Sequence, residues 1–325
     1  FAWDSRVFSV NASIGLVEIN AQSRTVSSLL SSADIACYSA KDLGRAQTHV
    51  YRPSDRDQYH RHNELLLASG IKDAMEEGRF VLYAQPIAQI TNGTLEHCHY
   101  EVLLRMLDQQ GEMIQPGAFI PAAERFGVMS KLDRWVIKNA LRQLAEVNSQ
   151  TGVHTSITIN LSGQSLTDGK LTDFVSEQLQ LSGVPPQCIC FELTETAAIS
   201  NLDHADQFIR SAKEIGCKFA LDDFGSGLSS FAYIKHFPVD YLKIDGGFVK
   251  DINDDPTDKV MVSAINQMAH VLGMKTIAEF VENDVILEEL QKIGVDMVQG
   301  FGIGKPAPFK SCLITYLDNT TRKAA

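Results

Sequence analysis

The sequence predicts a modified TIM barrel, a (β/α)8 barrel with its first strand antiparallel, behind a small N-terminal α/β fragment and a connector helix. Three observations carry this. From Phe80 onward eight short apolar runs read as strands, helical patterns separate most of them, and the first two runs are joined only by TNGT. Strand and helix alternating eight times is the pattern of a (β/α)8 barrel. Asn-Gly is a strong hairpin signal, and strands joined so tightly run antiparallel because a parallel pair needs a crossover.

In chain order, residues 1–53 read as a separate piece. VFSVNASIGLVEI has the pattern of a strand, and VSSLLSSADIACYSAKDLGR that of a helix carrying Leu29, Leu30, Ile35, Ala36 and Ala40. The polar stretch YRPSDRDQYHRHNE then leads into an amphipathic helix around LLLASGIKDAMEEG that ends at Gly78, so residues 54–78 are expected to connect two domains. The barrel is expected over residues 79–320. Its strands are FVLYAQPIAQI, HYEVLLRM, TSITINLS, CICFELTE, KFALDD, VDYLKID, MKTIAEF and VDMVQGF. Its helices include KLDRWVIKNALRQLAEV, KLTDFVSEQLQLSG, LDHADQFIRSAKEIG, SSFAYIKHF, DKVMVSAINQMAHVLG and DVILEELQKIG. In the first of these Trp135, Val136 and Leu141 are packing residues.

Composition narrows the function. A formal net charge of -11 over 325 residues argues against a groove for a nucleic-acid polymer or a basic membrane-binding face. A small anionic ligand then needs local positive charge or metal ions. Of six cysteines only Cys188 and Cys190 are close in sequence, without a matching second pair, which favours reduced thiols in the cytoplasm over a disulfide scaffold or zinc site. No apolar run reaches the ~18 residues of a membrane span. Phe1 is not a natural start, so the chain is expected to belong to a longer protein.

Chemistry in such barrels gathers where the strands end and the βα loops converge. The polar residues there are Glu101, Asn160, Glu192 with Glu195, Asp222 with Asp223, Lys243 with Asp245, Glu279 with Glu282, and Gln299. Packing alone would place Val and Ile at these positions. So many carboxylates around one lysine repel one another, and divalent metal is the economical neutraliser. Oxygen donors without clustered His or Cys suit Mg²⁺ or Mn²⁺. Two such ions can clamp a phosphodiester and activate a water. Asp222 and Asp223 fit that use if the strand ends between them, with Gly225 and Gly227 permitting the turn. Lys243 could hold the nucleophilic water, and Glu279 could ligate metal or take a proton. His97, His99 and Glu101, on one strand face, form a rival site that would lie deeper in the barrel.

These motifs resemble a known family. YAQPI, YEVLLRM, PGAFIPAAERFGVM, LDRWVI, INLS, FELTET, LDDFGSGLSSFAYIKHFPVDYLKID, IAEFVE and QGFGIGKP match, in order from Phe80 to about Leu317, the EAL-domain phosphodiesterases that hydrolyse the bacterial second messenger cyclic di-GMP. SVNASIGLVEI and SADIACYSAKDLGR look like the C-terminal part of a GGDEF domain, whose signature itself is absent. The resemblance implies two ions, Mg²⁺ or Mn²⁺, and linear pGpG as product. It implies Glu101, Asn160, Glu192 and Asp222 as ligands of the first metal, with Asp222 bridging to the second and Asp223 serving the second. Lys243 and Glu279 would position and activate water, Glu195 would hold the DDFGSG loop, and Gln299 would line the metal pocket. Gln85, Leu103, Arg105, Glu282 and Pro306 occupy positions that contact the dinucleotide in the family. A homodimer through the DDFGSG side is also implied.

Three departures stand out. Val102 replaces the Ala of the name-giving EAL and is expected to face away from the metals into packing. Phe280 stands where glycine is common, and DDFGSG replaces DDFGTG. A catalytically silent cyclic-di-GMP receptor signalling through the connector helix is the rival function. The intact set of ligands favours the enzyme.

Overall fold

The computed structural model describes residues 2–3, 6–7, 12–20, 25–44, 46–52, 54, 70–91, 93–225 and 234–323. Internal contacts divide the chain into two units, Phe1–Asp73 and Ala74–Ala325.

In the first unit the long helix is present as Val26–Asp42. Thr25 and Ser28 cap it reciprocally: Thr25 Oγ1 accepts the Ser28 N–H at 3.2 Å and Ser28 Oγ accepts the Thr25 N–H at 3.3 Å. Strands Ile14–Leu16 and Thr48–Val50 pair in parallel beside it. Gly15 is required there, because a Cβ would lie 2.2 Å from the Ala33 carbonyl oxygen. The strand expected over VFSVNASIGLVEI is broken into Arg6–Val7 and Ile14–Leu16, with Ala12 and Ser13 outside any strand. Ala and Ser bring little of the β-branched or aromatic bulk that favours a pleated ladder. Most of the connector lies outside the described residues. Its described end, 70–76, is helical, and Gly78 terminates it at φ 69°.

The second unit is the barrel. Its strands are β1 (Phe80–Thr91), β2 (Thr94–Leu107), β3 (Ser156–Asn160), β4 (Ile189–Thr194), β5 (Lys218–Phe224), β6 (Tyr241–Ile244), β7 (Lys275–Ala278) and β8 (Met297–Gln299). They pair in the order 1-8-7-6-5-4-3-2, and β1 also pairs with β2, closing the ring. β1 runs antiparallel to both neighbours, while the other seam pairings are parallel. The hairpin registers Thr91 opposite Thr94 and sets Gly93 at φ 78°, as the TNGT turn requires.

Period-2 alternation divides each strand between two environments. Outward residues such as Val102, Ile159, Phe191, Phe219 and Leu242 join the helices in one apolar core. Val102 therefore belongs to packing, as expected. The helix Met129–Thr151 contributes Leu132, Val136, Ile137, Ala140, Leu141 and Leu144, all buried on one stripe, and the Trp135 ring lies 5.6 Å from that of Phe80. Each fully buried Leu, Ile or Val of this stripe contributes ~1.5–3 kcal/mol. Inward residues form two stacked rings, and the upper one is the site.

Candidate active site

Lys243 projects inward from β6 and is 1% exposed. Its ammonium lies 2.7 Å from Glu192 on β4, 2.7 Å from Glu279 just past β7, 3.1 Å from Asp222 on β5 and 3.6 Å from Glu101 on β2. One cation thus faces four carboxylates from four strands. Burial alone would depress the Lys243 pKa, but those four neighbours hold it well above its ordinary value. Burial pushes Glu192 well up, with the Lys243 charge only partly offsetting it. Glu279 is raised to about 7 by burial, against the pull of Lys243 and with Asp222 and Glu101 adding to the rise. Burial acts most strongly against the Asp222 charge, yet Lys243 together with hydrogen bonds to Glu192 and the Asp223 backbone holds Asp222 below its usual value.

Glu101 is oriented by amides. Asn160 Nδ2 donates to one of its oxygens at 2.7 Å and Gln299 Nε2 to the other at 2.6 Å. Gln299 also reaches Gln85 Oε1 at 3.3 Å, and Gln85 Nε2 donates to the Gly304 carbonyl at 3.0 Å. Because β1 is reversed, Gln85 stands at the same end of the barrel as residues that close the other strands. The loop after Asn160 is pinned from outside: buried Asp133 accepts from Ser162 N, Ser162 Oγ and Ser165 Oγ at 2.9, 2.7 and 2.6 Å. Nothing in the sequence pattern set Asp133 apart from the polar residues of its helix; only the packed helix brings it to that loop.

The paired aspartates behave differently from the expectation in one respect. The strand does not end between them but runs to Phe224, with a bulge against β6 between Leu221 and Phe224. Asp223 sits in the bulge at φ 55°. An extra residue in one strand re-aims its side chain. Consequently carboxylate oxygens of Asp222, Asp223 and Glu279 lie within 4.8 Å of one another. Burial, and then the neighbouring charges of Asp222 and Asp245, raise the Asp223 pKa. Past the bulge, Gly225 turns the chain at φ 99°, where a Cβ would lie 2.9 Å from the Phe248 ring. Its N–H donates to Glu195 Oε2 at 3.2 Å, so Glu195 holds the start of this loop. Gly227, the rest of the loop to residue 233, and the dimer contact expected there lie outside the described residues.

The donor set fits hard divalent cations. It is all oxygen, and Glu192 Oε2 and Gln299 Oε1 are buried without a hydrogen-bond partner among the described residues.

Above the carboxylates opens a cavity of about 180 Å³ lined by Gln85, Glu101, Glu279, Phe280, Glu282, Gln299, Gly300 and Phe301. Glu282 is exposed at its wall. Leu103, Arg105 and Pro306 do not line it. Leu103 and Arg105 lie further along β2, where the Arg105 guanidinium stands over the Tyr83 ring at 5.5 Å and donates to the Leu104 carbonyl. Pro306 is half-buried between Gly304 and the short strand Ala307–Pro308. The motif reading passed over Phe301, whose signal was an aromatic directly after the Gln-Gly at the end of β8.

Of the histidine alternative only His99 and Glu101 have described side chains. A register shift falls between the pairs Ile87–His99 and Ala88–His97. The His97 side chain is outside the described residues. His99 is buried within the barrel, bonded to Thr158 Oγ1 and edge-on to Tyr241 at 5.8 Å. Burial, with Lys218 and Lys243 adding, lowers its pKa to about 3.

A closed barrel with one reversed strand and an acidic rim defines the class of protein. The EAL domain family profile matches residues 69–306. The chain belongs to the EAL domain family. It is 40% identical over 304 residues to cyclic di-GMP phosphodiesterase PdeB of Shewanella oneidensis, covering 94% of this chain and 35% of that protein. Among solved structures it is similar to the PaMucR phosphodiesterase in complex with c-di-GMP, with a TM-score of 0.71, 32% identity, and coverage of 76% of this chain and 99% of that one. The FimX EAL domain from Pseudomonas aeruginosa bound to c-di-GMP gives a TM-score of 0.69 and 31% identity, covering 75% and 97%. The chain spans about a third of the length of the first curated relatives it matches, 35%, 32% and 34%. Among the described residues no helix is long and apolar enough to cross a membrane.

Proposed function

We propose that the barrel hydrolyses cyclic di-GMP to linear pGpG with two divalent cations, Mg²⁺ or Mn²⁺. The observation that carries this is the convergence of Glu101, Glu192, Asp222 and Glu279 on Lys243 at one end of the barrel. Glu101, Asn160, Glu192 and Asp222 would hold one ion, and Asp222, Asp223 and Glu279 the other. When bound, such ions neutralise the phosphodiester, lower the pKa of a coordinated water and stabilise the leaving oxygen.

The chain's own residues supply the rest. Lys243 holds the four carboxylates together and presents an N–H to the attacking water. Glu279, 2.7 Å from Lys243, is placed to hold an ion or to take the proton of that water. Gln299 and Asn160 fix both oxygens of Glu101, so its lone pairs point in set directions. Glu195 anchors the loop that follows Asp223. Gln85, Leu103, Arg105, Glu282 and Pro306 would contact the dinucleotide, Arg105 as the cation for a phosphate or a guanine edge.

We further read residues 1–53 as the end of a GGDEF domain, 54–78 as a connector and 79–320 as the catalytic barrel, all cytoplasmic. The division of contacts after Asp73 and the family match from residue 69 support a boundary in this region.

The test is turnover of cyclic di-GMP by the purified chain with Mg²⁺ or Mn²⁺, followed by separation of pGpG. Glu101→Ala is expected to lower kcat at least about a hundredfold, because loss of metal polarisation is worth several kcal/mol and each 1.4 kcal/mol is tenfold. Binding without product in the parent protein would make it a receptor instead.

A further inference from the structure

Asp133 is a carboxylate where packing has no use for one. It lies on the buried stripe of the helix Met129–Thr151, among Met129, Leu132, Val136, Ile137 and Ala140, and is 4% exposed. An apolar residue would fill that place at less cost, since a carboxylate loses its hydration on burial. The bonds it makes gather on one oxygen. Oδ2 accepts from Ser162 N at 2.9 Å, Ser162 Oγ at 2.7 Å and Ser165 Oγ at 2.6 Å. All three donors belong to the connection that leaves β3, so the carboxylate serves that connection rather than its own helix.

What these bonds secure is the turn directly after Asn160. Asn160 ends β3 opposite Glu192 of β4, and the Leu161 N–H still bonds the Glu192 carbonyl at 2.8 Å. Ser162 then caps the short helix Gly163–Leu166, its Oγ accepting the Ser165 N–H at 3.3 Å. The turn is wedged from another side too: a Cβ at Gly163 would lie 3.2 Å from Asn201 Nδ2 and 3.6 Å from Ala197 Cβ. Asn160 itself is exposed, so packing does not fix its side chain. The sheet holds its backbone on one side and Ser162 holds it on the other. Its Nδ2 is committed to Glu101 Oε1 at 2.7 Å, which leaves Oδ1 to meet a cation. A neutral amide attracts a divalent cation less than a carboxylate does, so it contributes only with its oxygen already in place.

We propose that Asp133 is a positioning residue for the first metal ion: it locks Ser162, and Ser162 sets the backbone from which Asn160 presents Oδ1 beside Glu101. The inference rests on the proposed function. Groups behind metal ligands set ligand geometry, and their loss costs ~10–100-fold in metal affinity or activity. Three bonds on one buried oxygen make a stiff support, because a satisfied buried network specifies one arrangement. The next residue of the helix supplies a control. Arg134 pairs with Asp168 in the same connection, but near the surface and further from Asn160.

The test is Mn²⁺ binding to the chain without nucleotide, read from the loss of the free-ion EPR signal, beside thermal melting in EDTA. Asn160→Ala identifies the ion that the amide holds, by the affinity it weakens. Asp133→Asn keeps the shape of the side chain and is expected to weaken the same ion about tenfold. The double variant should bind that ion no more weakly than Asn160→Ala alone, because no amide is left to position. Should Asp133→Asn fail to fold, Ser162→Ala, which removes one hydroxyl from the network, carries the same cycle with Asn160→Ala. Asp168→Asn should stay within about twofold of the parent, as befits a screened surface pair. A merely structural Asp133 would move Tm and leave the Mn²⁺ affinity alone. Affinity within about twofold of the parent in Asp133→Asn, whatever its Tm, therefore overturns the positioning role. So does a double variant in which the two losses add. Either result leaves the proposed function standing, since hydrolysis of cyclic di-GMP by the parent decides that separately. A parent that binds no Mn²⁺ overturns both.

Discussion

The barrel interior holds two rings built from the same strands, and they differ in almost every physical respect. The lower ring comprises Ile87, His99, Thr158, Cys190, Ala220, Tyr241, Ile277 and Met297, all buried. The upper ring comprises Gln85, Glu101, Asn160, Glu192, Asp222, Lys243, Glu279 and Gln299. Each upper residue lies two positions further along its strand, or two positions earlier on the reversed β1. One pleat separates a neutral layer from a charged one. The lower ring keeps water out from beneath, and its polar members are satisfied locally, as in the His99–Thr158 bond. The upper ring borrows that dry floor, which makes each charge above it more expensive and each charge pair stronger. The comparison teaches that one step of two residues along the strands, all at one level of the barrel, is enough to turn a neutral layer into the site.

The largest effect should come from breaking the upper ring at its centre. Lys243→Met leaves four carboxylates with no cation, and removing one partner of a buried ion pair costs about 3–5 kcal/mol. In EDTA a melting scan should show Tm falling on the order of 10 °C. Added Mg²⁺ should restore part of it. A Tm equal to the parent's in EDTA would mean that the ring is not held together by Lys243.

A middle-sized effect belongs to the lower ring. The His99 pKa is lowered from 6.5 to about 3, so between those values the unfolded chain binds more protons than the folded one. Stability therefore rises with pH across that window and is lost as pH falls below 6.5. At pH 5 the loss attributable to His99 is about 2 kcal/mol. Denaturant titrations at pH 7.5 and pH 5 should show that increment in the parent and not in His99→Gln. The raised carboxyls of the upper ring change stability in the opposite direction, so the difference between the two proteins is the quantity to read.

The smallest effect lies outside both rings. Arg134 and Asp168 pair at 2.6 Å near the surface, with side chains 28% and 26% exposed. Asp168→Asn should cost about 1 kcal/mol or less and leave turnover as it was, because a screened pair at the surface contributes little. A loss as large as that of Lys243→Met would show that the interior rings are not special.

Much of this was legible from the residues. Eight apolar runs named eight strands, TNGT named the reversed one, and the polar residue closing each run named the rim. Such signals are local, because alternation and turn chemistry act over a few residues. The misreadings were also local patterns, undone by neighbours. Asp222 and Asp223 were expected to straddle a strand end, but a bulge against β6 carries the strand through them. His97 and His99 were expected to share a face, but the His97 side chain lies outside the described residues, and a register shift against β1 falls between the two. A bulge is a property of two strands in register, and one strand's sequence does not contain it.

By itself, then, the sequence determined the barrel, its reversed strand and the family, and it set the acidic residues at strand ends. These follow from period, turn type and residue chemistry, which a chain carries wherever it goes. Only the tertiary structure decided that one ammonium faces four carboxylates, that two amides orient Glu101 from either side, and that the Phe280 ring sits over bare backbone at Gly246. Those arrangements depend on distances between strands far apart in sequence, and closure of the barrel alone sets them.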